Sequence, residues 1–476
     1  MNSTRKTTNA VMAVGQVFVS SLILFLVYRH LMRTTGPEQL GVYSIVLAAS
    51  STLRISELGF SGSVIKFTAK YMARGDAEKA AEVVQTSMIT VGGVLVGVLA
   101  VAYPLIQWLL GAIIPVSSIL HAQELLPFAV LSVWTAVLSG ILLSGLDGCK
   151  RIDLRAMVSM VSSLLFLSLA WVLISSYGLV GLAIAQICQS AFSFVAAWVL
   201  LQRELSPLRL LSFKWSYQVF REMFVYGFNV QVTAFAGLLF DPITKALVAE
   251  YGGLATTGYY EMASRMVMQF RSLLISANQT IVPQIAGIKE NTPEQLYKAY
   301  IDTYRVLFYF ALPMYAGLAA SAPLVSVIWI GHSEEIFVRF VWLLTAGWAV
   351  NTLSGPAYFM NLGTGHLRWN TWSHIIIGVL NVLLGTLFGR LYAGTGVAMG
   401  YVLALIIGGL IVIVPYHRSN RVAMAELFPA ESRSLCIACI AGLVLSYFVF
   451  DMRGPLKNPP SWHGIDIIPT IVITDR

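Results

Sequence analysis

The sequence has few charged residues and few cysteines. Charged side chains make up 11% of the 476 residues, whereas roughly 25% is usual in soluble domains. Apolar runs of 18 or more residues recur along the chain, which predicts a membrane protein with many spanning helices and no sizeable soluble domain. The formal net charge is +8, but the basic residues stand mostly between apolar runs, as positive-inside loops do. We therefore expect no nucleic-acid partner.

Sequence motifs for catalysis and metal binding are also missing. The four cysteines have no metal-ligating neighbours, and the pair Cys436 and Cys439 lies in an apolar run, where small packing residues are expected. The sequence contains no GxxxxGK[ST] phosphate loop and no GxSxG, HExxH or DxD arrangement. We therefore predict no enzymatic activity, no cofactor and no metal site.

The apolar runs predict twelve spanning segments between Val11 and Pro415 and a thirteenth over Leu435–Phe450. The first segment is expected to remain uncleaved, because its apolar run is too long for a signal-peptide core. A last apolar piece, Ile465–Ile473, is too short to span a membrane. With a cytoplasmic N-terminus, about 20 Lys and Arg residues fall on the inner side and about 7 on the outer side, which favours that orientation.

The two halves of the chain resemble each other at an offset of about 215 residues. LGVYS at 40–44 matches TGYYE at 257–261, and GLVGLAIAQ at 178–186 matches AGTGVAMGY at 393–401. A repeat of six segments enters the membrane twice in the same direction, so the halves should be related by an axis along the membrane normal, with a cavity between them. The predicted fold is an all-α integral membrane protein of two six-helix bundles around a central cavity, plus one or two extra C-terminal segments.

The repeat and the loop positions also suggest a division of the chain into three parts. Residues 1–222 are expected to form the N-terminal six-helix bundle with its inner connector, and residues 223–416 the C-terminal six-helix bundle. Residues 417–476 would then add a further membrane segment and a tail.

Several charged residues are predicted to lie at membrane depth, where six of them would cost on the order of 15 kcal/mol if all faced lipid. A wet, positively biased cavity between the bundles avoids that cost. Arginine is suited to bidentate phosphate binding, so an anionic head group, a phosphate or pyrophosphate, is the predicted ligand. The predicted substrate-binding residues are Arg54, Arg265, Arg271 and Lys245.

A structural role for the same charges remains an alternative. Arg54 and Glu57 are three residues apart on one helical face and are able to neutralise each other. The other basic residues are able to form salt bridges between helices with Asp241 and Glu261. Spacing alone does not decide between ligand binding and internal pairing.

One stretch carries a family resemblance. The residues GVYSIVLAASSTLRISELGFSGSVIKFTAKYMARGD, which begin at Gly41, resemble the second-segment region of polysaccharide-biosynthesis flippases. The shared features are G-x-Y, L-G-F and K-x-x-A-x-Y-x-x-x-G-D. These flippases belong to the multidrug/oligosaccharidyl-lipid/polysaccharide exporter (MOP) superfamily, and the resemblance covers about residues 9–450.

The resemblance implies a flippase that moves an undecaprenyl-diphosphate-linked oligosaccharide across the bacterial inner membrane by alternating access. It implies contact with membrane lipids, and with polysaccharide polymerase machinery as a possible further partner. In the lipid-II branch of the superfamily, segments 2 and 8 carry cationic cavity residues, to which Arg54, Arg265 and Arg271 are similar. An ion gradient would supply the energy through a coupling carboxylate, for which the candidates are Glu57, Asp241 and Glu261.

Three other functions remain open at this point. A drug or organic-cation antiporter of the same superfamily predicts a cavity dominated by carboxylates, whereas arginine outnumbers acid here. A membrane-embedded glycosyl- or acyltransferase needs a membrane-facing acid or His–Asp pair and a sizeable outer loop, and no predicted outer loop exceeds roughly 20 residues. A non-transporting member of a polysaccharide assembly complex is the third.

Overall fold

The computed structural model describes residues 3–57, 59–208, 214–279, 285, 295–428 and 430–452. Some side chains within these ranges, including that of Arg54, are outside the described part, as is the predicted apolar piece Ile465–Ile473. Within the described ranges every regular element is helical. Seven of the described helices are long and apolar enough to cross a membrane.

The helices follow one another with short connections. In chain order they are α1 (Ser3–Ser51), α2 (Phe60–Ala73), α3 (Ala77–Ile113), α4 (Val116–Gly148), α5 (Ile152–Glu204), α6 (Tyr217–Leu238), α7 (Phe240–Gln279), α8 (Leu296–Ile330), α9 (Glu335–Leu353), α10 (Gly355–Thr364), α11 (Arg368–Asn420), α12 (Met424–Leu427) and α13 (Ala430–Met452).

The longest helices are pairs of membrane spans joined without a loop. Helices α5 and α11 each contain 53 residues and would be about 80 Å long if straight, more than twice the thickness of a bilayer core. Each is instead interrupted by a residue with positive φ, Gly178 at 56° and Ala393 at 53°. In α5 a side chain at Gly181 would overlap the carbonyl of Leu173, so the two arms pack against each other as a hairpin.

The same kind of bend divides α1 and α7. Gly36 has φ 80° and ψ 174° in α1, and Gly253 has φ 81° and ψ 173° in α7. The two glycines stand 217 residues apart, as Ser44 and Glu261 do. Only glycine adopts such a conformation at low cost, so the same backbone feature at the same place in both halves confirms the repeat predicted from the sequence.

The repeat folds as two helical bundles. In the first, α4 packs on α5 and both contact α1; in the second, α9 and α11 pack on α7 and on each other. Helices α1 and α7 join the two bundles through an extensive mutual contact. The predicted all-α membrane fold of two six-helix bundles is therefore confirmed, while the three-part division at residues 222 and 416 stays a prediction.

Segment 2 differs from the single helix predicted over Leu40–Ile65. α1 ends at Ser51, a 3₁₀ turn follows over Thr52–Glu57, and α2 begins only at Phe60. Gly59 has φ 71°, and a Cβ atom there would lie 2.5 Å from the carbonyl oxygen of Gly227 in α6. The close approach of α6 therefore accompanies a break in the helix, and Arg54 and Glu57 lie at this break instead of inside a continuous helix.

Two glycines set the distance between the bundles near the bends of α1 and α7. A side chain at Gly41 would overlap the carbonyl of Leu254, and one at Gly258 would overlap the carbonyl of Pro37. Backbone therefore packs directly on backbone between the bundles at this end of the molecule. The arrangement is reciprocal, as expected for two repeats related by a two-fold axis.

We expect Gly41→Ala and Gly258→Ala to lower the free energy of unfolding by about 1–3 kcal/mol each, because the added methyl group overpacks a contact made by rigid backbone. A denaturant titration in detergent micelles measures this. Gly93→Ala in α3 is the control, since its Cβ atom would meet nothing within 4 Å. Equal stability of all three variants would contradict the tight contact.

Candidate functional site

A cavity of about 1050 Å³ lies between the two bundles. Its wall includes Leu47 and Ser51 on α1 and Arg265 and Arg271 on α7. Each of these residues is farther from the bend of its helix, at Gly36 or Gly253, than Gly41 or Gly258 is. The cavity is therefore on the side of the molecule away from the glycine contact.

A buried carboxylate, Glu261, lies where the bundles meet next to the cavity. The hydroxyl of Tyr28 donates a hydrogen bond to its Oε1 at 2.9 Å, and the hydroxyl of Ser44 donates to its Oε2 at 3.0 Å. Tyr28 and Ser44 belong to the two arms of α1, so one carboxylate of the second bundle binds both arms of the first. The bend at Gly36 makes this possible.

Two predicted substrate-binding residues are paired with this carboxylate. Lys245 has a side chain that is only 2% exposed, and its Nζ lies 2.6 Å from Glu261 and 2.5 Å from Asp241. Arg265 donates from Nε to Glu261 at 2.7 Å, but its side chain is 39% exposed and forms part of the cavity wall. Lys245 thus bridges two acids, as the salt-bridge alternative expects, and it belongs to the cavity lining although its side chain is almost fully buried. Arg265 both pairs and faces the cavity.

Arg271 has a different environment. Its guanidinium carbon lies 3.9 Å from the centre of the Trp348 ring, and the residue lines the cavity. Its Nε is buried without a hydrogen-bond partner, and within the described ranges no carboxylate pairs with it. A guanidinium that stacks on an aromatic ring and has N–H donors without partners is suited to bind a planar or tetrahedral anion.

The predicted residues at the helix break contribute less to the described site. Glu57 accepts a hydrogen bond from the Ser61 hydroxyl and is not among the residues that line the cavity. The side chain of Arg54 lies outside the described part of the chain, so its predicted roles in substrate binding and in pairing with Glu57 stay predictions. Among the described residues there is no cluster of three His, Cys, Asp or Glu that could hold a metal.

The first bundle contributes a part of the cavity wall that the sequence-based prediction does not include. This wall is neutral and polar, with two serines from α4, three from the first arm of α5 and two serines and two glutamines from its second arm. The second bundle contributes the charges together with the aromatic residues Tyr260, Trp348, Tyr358 and Tyr401. The helical spacing of serines in apolar runs was the available signal.

Tyr28 and Ser44 are further residues of the site that the sequence-based prediction does not include. The repeat itself was the signal, because Ser44 stands at the place that Glu261 occupies in the second half, 217 residues later. Tyr28 likewise occupies the place of Lys245. At these two places the first bundle has hydroxyl groups where the second has a charged pair.

Comparison with known families agrees with this architecture. The family model described as "Polysaccharide biosynthesis protein" matches residues 31–333, which is more than half of the chain. The chain belongs to the polysaccharide biosynthesis protein family. The resemblance found in the sequence is thereby confirmed. No curated protein matches the chain.

Solved structures show that this polysaccharide biosynthesis protein has the fold of MOP-superfamily transporters. A multidrug resistance MATE family transporter in an inward-facing conformation matches with a TM-score of 0.71 and 15% identity, over 84% of this chain and 94% of that one. The lipid II flippase MurJ in an inward closed conformation matches with a TM-score of 0.70 and 16% identity, over 93% and 98%.

A third match is a MOP-superfamily transporter from Pyrococcus furiosus, with a TM-score of 0.65 and 16% identity over 89% of this chain and 96% of that one. Its binding pocket is described as having reverse polarity, which suggests a different function for that protein. At these identities the likeness concerns the fold. The polysaccharide biosynthesis protein is therefore a multi-pass membrane protein with a transporter fold, and the chemistry of its own cavity must indicate its substrate.

Proposed function

We propose that this protein is a secondary transporter that flips an undecaprenyl-diphosphate-linked oligosaccharide across the bacterial inner membrane by alternating access. The family match, the fold and a large cavity between two bundles, with charged and hydroxyl-bearing residues in its wall, support this proposal. With the N-terminus in the cytoplasm, the glycine contact lies toward the outer face and the cavity toward the cytoplasm. That arrangement suits loading of a substrate made inside the cell.

The observation that carries the proposal is the unpaired cation at Arg271. A charged group at membrane depth is costly unless it has a partner or lines a wet cavity. Arg271 stacks on Trp348 and lines the cavity, and its Nε has no partner in the described structure. A diphosphate would accept several charge-assisted hydrogen bonds from this guanidinium, with Arg265 adding positive charge to the same wall. Lys245 neutralises charge on Asp241 and Glu261 beside that wall, which lowers their repulsion of an anion.

The experiment that tests the function uses the full-length protein in liposomes that contain a fluorescent undecaprenyl-diphosphate-linked oligosaccharide. We expect the protein to accelerate movement of the labelled lipid between leaflets, read as loss of protection from an impermeant quencher. The same vesicles loaded with a cationic dye are expected to show no accelerated dye efflux. Dye efflux without lipid movement would replace the proposed function with that of an organic-cation antiporter.

One observation does favour the antiporter as a second candidate. Asp241 lines the cavity, and its side chain is 48% exposed, so a carboxylate is available to an organic cation. Lys245 competes with any such ligand, since its ammonium lies 2.5 Å from the same carboxylate. The unpaired Arg271 in the same cavity wall would repel a cation, which is why the anionic lipid is preferred.

The geometry also ranks the three candidate coupling carboxylates. Glu261 already accepts hydrogen bonds from Tyr28, Ser44 and Arg265 and pairs with Lys245, so its charge is fully compensated. Glu57 lies outside the cavity wall. Asp241 is partly exposed, lines the cavity and has Lys245 as its ion-pair partner, so we infer that it exchanges the coupling ion.

Asp241→Asn is therefore expected to make lipid flipping insensitive to the ion gradient. The amide cannot gain or lose charge. An imposed proton or sodium gradient should therefore raise the flipping rate of the variant less than about twofold, whereas it should raise that of the wild-type protein about tenfold. Flipping with and without each gradient is measured in the same vesicles. Glu57→Gln is the matched control and should keep the stimulation. An Asp241→Asn protein that still responds fully to the gradient would remove Asp241 as the coupling group.

A further inference from the structure

The part of the cavity wall that belongs to the first bundle is neutral throughout its described lining. Its polar groups are the hydroxyl of Ser51 on α1 and the hydroxyl and amide groups of α4 and of both arms of α5. Polar side chains in membrane helices often serve to hold helices together through hydrogen bonds. The hydrogen bonds of these side chains therefore show which of them have a structural role and which do not.

Some of these side chains do link helices. The Ser190 hydroxyl lies 2.7 Å from that of Thr135, and the Gln186 amide donates to the Tyr43 hydroxyl at 2.5 Å. These bonds join α4 to α5 and α5 to α1. Helix packing thus explains part of the polar wall.

Four other polar side chains of the wall donate or accept no side-chain hydrogen bond in the described structure. They are Ser139 on α4 and Ser159, Gln189 and Ser193 on α5. Their positions come from three helix arms, so they form a surface and not a stripe on one helix. Since helix packing does not use them, their polar groups remain available to a ligand.

Ser139 is the clearest case. Its residue is 2% exposed, it belongs to the cavity wall, and its Oγ has no hydrogen-bond partner among the described residues. A buried hydroxyl without a partner costs about 1–3 kcal/mol. A ligand hydroxyl that binds Ser139 would recover that cost, so the position favours a partner rich in hydroxyl groups.

The neighbouring serines add acceptors to the same surface. The hydroxyls of Ser132 and Ser162 donate to carbonyl oxygens of their own helices, at 2.7 and 3.0 Å. A serine that donates within its helix keeps oxygen lone pairs that accept hydrogen bonds. The wall thus presents oxygen acceptors to the donors of a ligand, and a sugar carries many hydroxyl donors.

We propose that this neutral wall of the first bundle is a glycan-binding subsite, in which Ser139, Ser159, Gln189 and Ser193 hydrogen-bond the sugar hydroxyls. This inference rests on the proposed function, in which Arg271 of the second bundle binds the diphosphate. The cavity of about 1050 Å³ is large enough for a sugar chain beside the diphosphate, since drug-sized ligands occupy pockets of roughly 300–1,000 Å³. The substrate then contacts both bundles, and the first bundle selects the glycan.

The test compares binding of two kinds of probe to the purified full-length protein. The first is bare undecaprenyl diphosphate, and the second is a panel of undecaprenyl diphosphates that carry different oligosaccharides. We expect the best glycan probe to bind at least about tenfold more tightly than the bare lipid. The variant Ser139→Ala/Ser159→Ala/Ser193→Ala should lose about tenfold in affinity for that glycan probe, which corresponds to about one good hydrogen bond, and less than twofold for the bare lipid.

The control variant changes three serines of α5 outside the cavity, as Ser168→Ala/Ser175→Ala/Ser176→Ala. The hydroxyls of these exposed serines donate to carbonyls of their own helix. The Ser175 hydroxyl also lies 3.3 Å from Nε2 of His30, and neither residue lines the cavity, so neither affinity should change. Thermal unfolding checks that both triple variants are folded.

The outcomes separate the subsite from the proposed function. If the bare lipid binds and no glycan improves its binding, or if the cavity variant binds the glycan probe normally, the subsite is wrong and the flippase proposal stands. If the unchanged protein binds neither kind of probe, both are wrong. Arg271→Gln should lower the affinity for the bare lipid and for the glycan probes alike. The serine variant should lower only the affinity for the glycan probes.

Discussion

Replacement of Arg271 by glutamine is expected to reduce flipping of the lipid-linked oligosaccharide by about 10- to 100-fold. A hydrogen bond to a charged group contributes about 1.5–3 kcal/mol, and each 1.4 kcal/mol is a factor of about ten. Arg271 has no acidic partner in the described structure, so its removal leaves no carboxylate unpaired and the fold should persist. The rate of labelled-lipid movement and the amount of folded protein in the membrane are measured separately.

Two further variants make this result specific. Arg271→Lys keeps the charge but loses the planar fork and the stacking on Trp348, so it should retain an intermediate rate. Arg339→Gln removes an exposed arginine that pairs with Glu335 outside the cavity, and it should flip lipid normally. An Arg271→Gln protein with a normal rate would overturn the role of this residue in binding the diphosphate. Equal loss of folded protein and of activity would indicate a structural role.

Replacement of Glu261 by glutamine is expected to lower the free energy of unfolding by about 3–5 kcal/mol. Removing one partner of a buried ion pair has a cost of this size because the other charge remains buried. Lys245 is 2% exposed and would keep only Asp241 as its partner. The carboxylate also holds Tyr28 and Ser44 of the first bundle, so the loss should loosen the contact between the bundles. Denaturant titration in detergent measures the change.

The double variant Lys245→Met/Glu261→Gln tests the cause of that loss. It removes the stranded ammonium, so it should be more stable than Glu261→Gln alone, with a coupling of about 0.5–3 kcal/mol in the cycle. Glu335→Gln is the control, because an exposed pair contributes only about 0–1 kcal/mol. If the double variant is as unstable as the sum of the two single changes, Lys245 and Glu261 do not stabilise each other.

These two residues show that the charges at membrane depth divide into two kinds. Glu261, Lys245, Asp241 and Arg265 form a connected group on α7. Glu261 joins this group to the first bundle through Tyr28 and Ser44. Arg271, one to two turns farther along α7, pairs with no acid in the described structure and lies on Trp348. The first kind stabilises the contact between the bundles through Glu261, while its members Asp241 and Arg265 also reach the cavity wall. The second kind, Arg271, is free to bind a ligand.

The sequence by itself determined the membrane class, the repeat and the positions of most helices. Apolar runs and turn residues are local properties, because a bilayer requires about 20 apolar residues wherever a helix crosses it. The repeat was visible in the sequence because equivalent positions of the two halves require the same backbone geometry. Gly41 corresponds to Gly258, and Gly178 corresponds to the turn at Ala393. Segment 2 was the exception, since its break at Thr52–Glu57 accompanies packing against α6, a helix distant in sequence.

Only the tertiary structure decided which charges are paired and which face a ligand. In the sequence Arg265 and Arg271 are two arginines of one segment, and Glu261 precedes both. The bends at Gly36 and Gly253 bring Tyr28, Ser44 and Lys245 to the same carboxylate, and no local spacing encodes that meeting. The neutral wall is likewise assembled from α4 and two arms of α5. Pairing and cavity lining depend on which helix faces meet in space, and that is a property of the whole packed molecule.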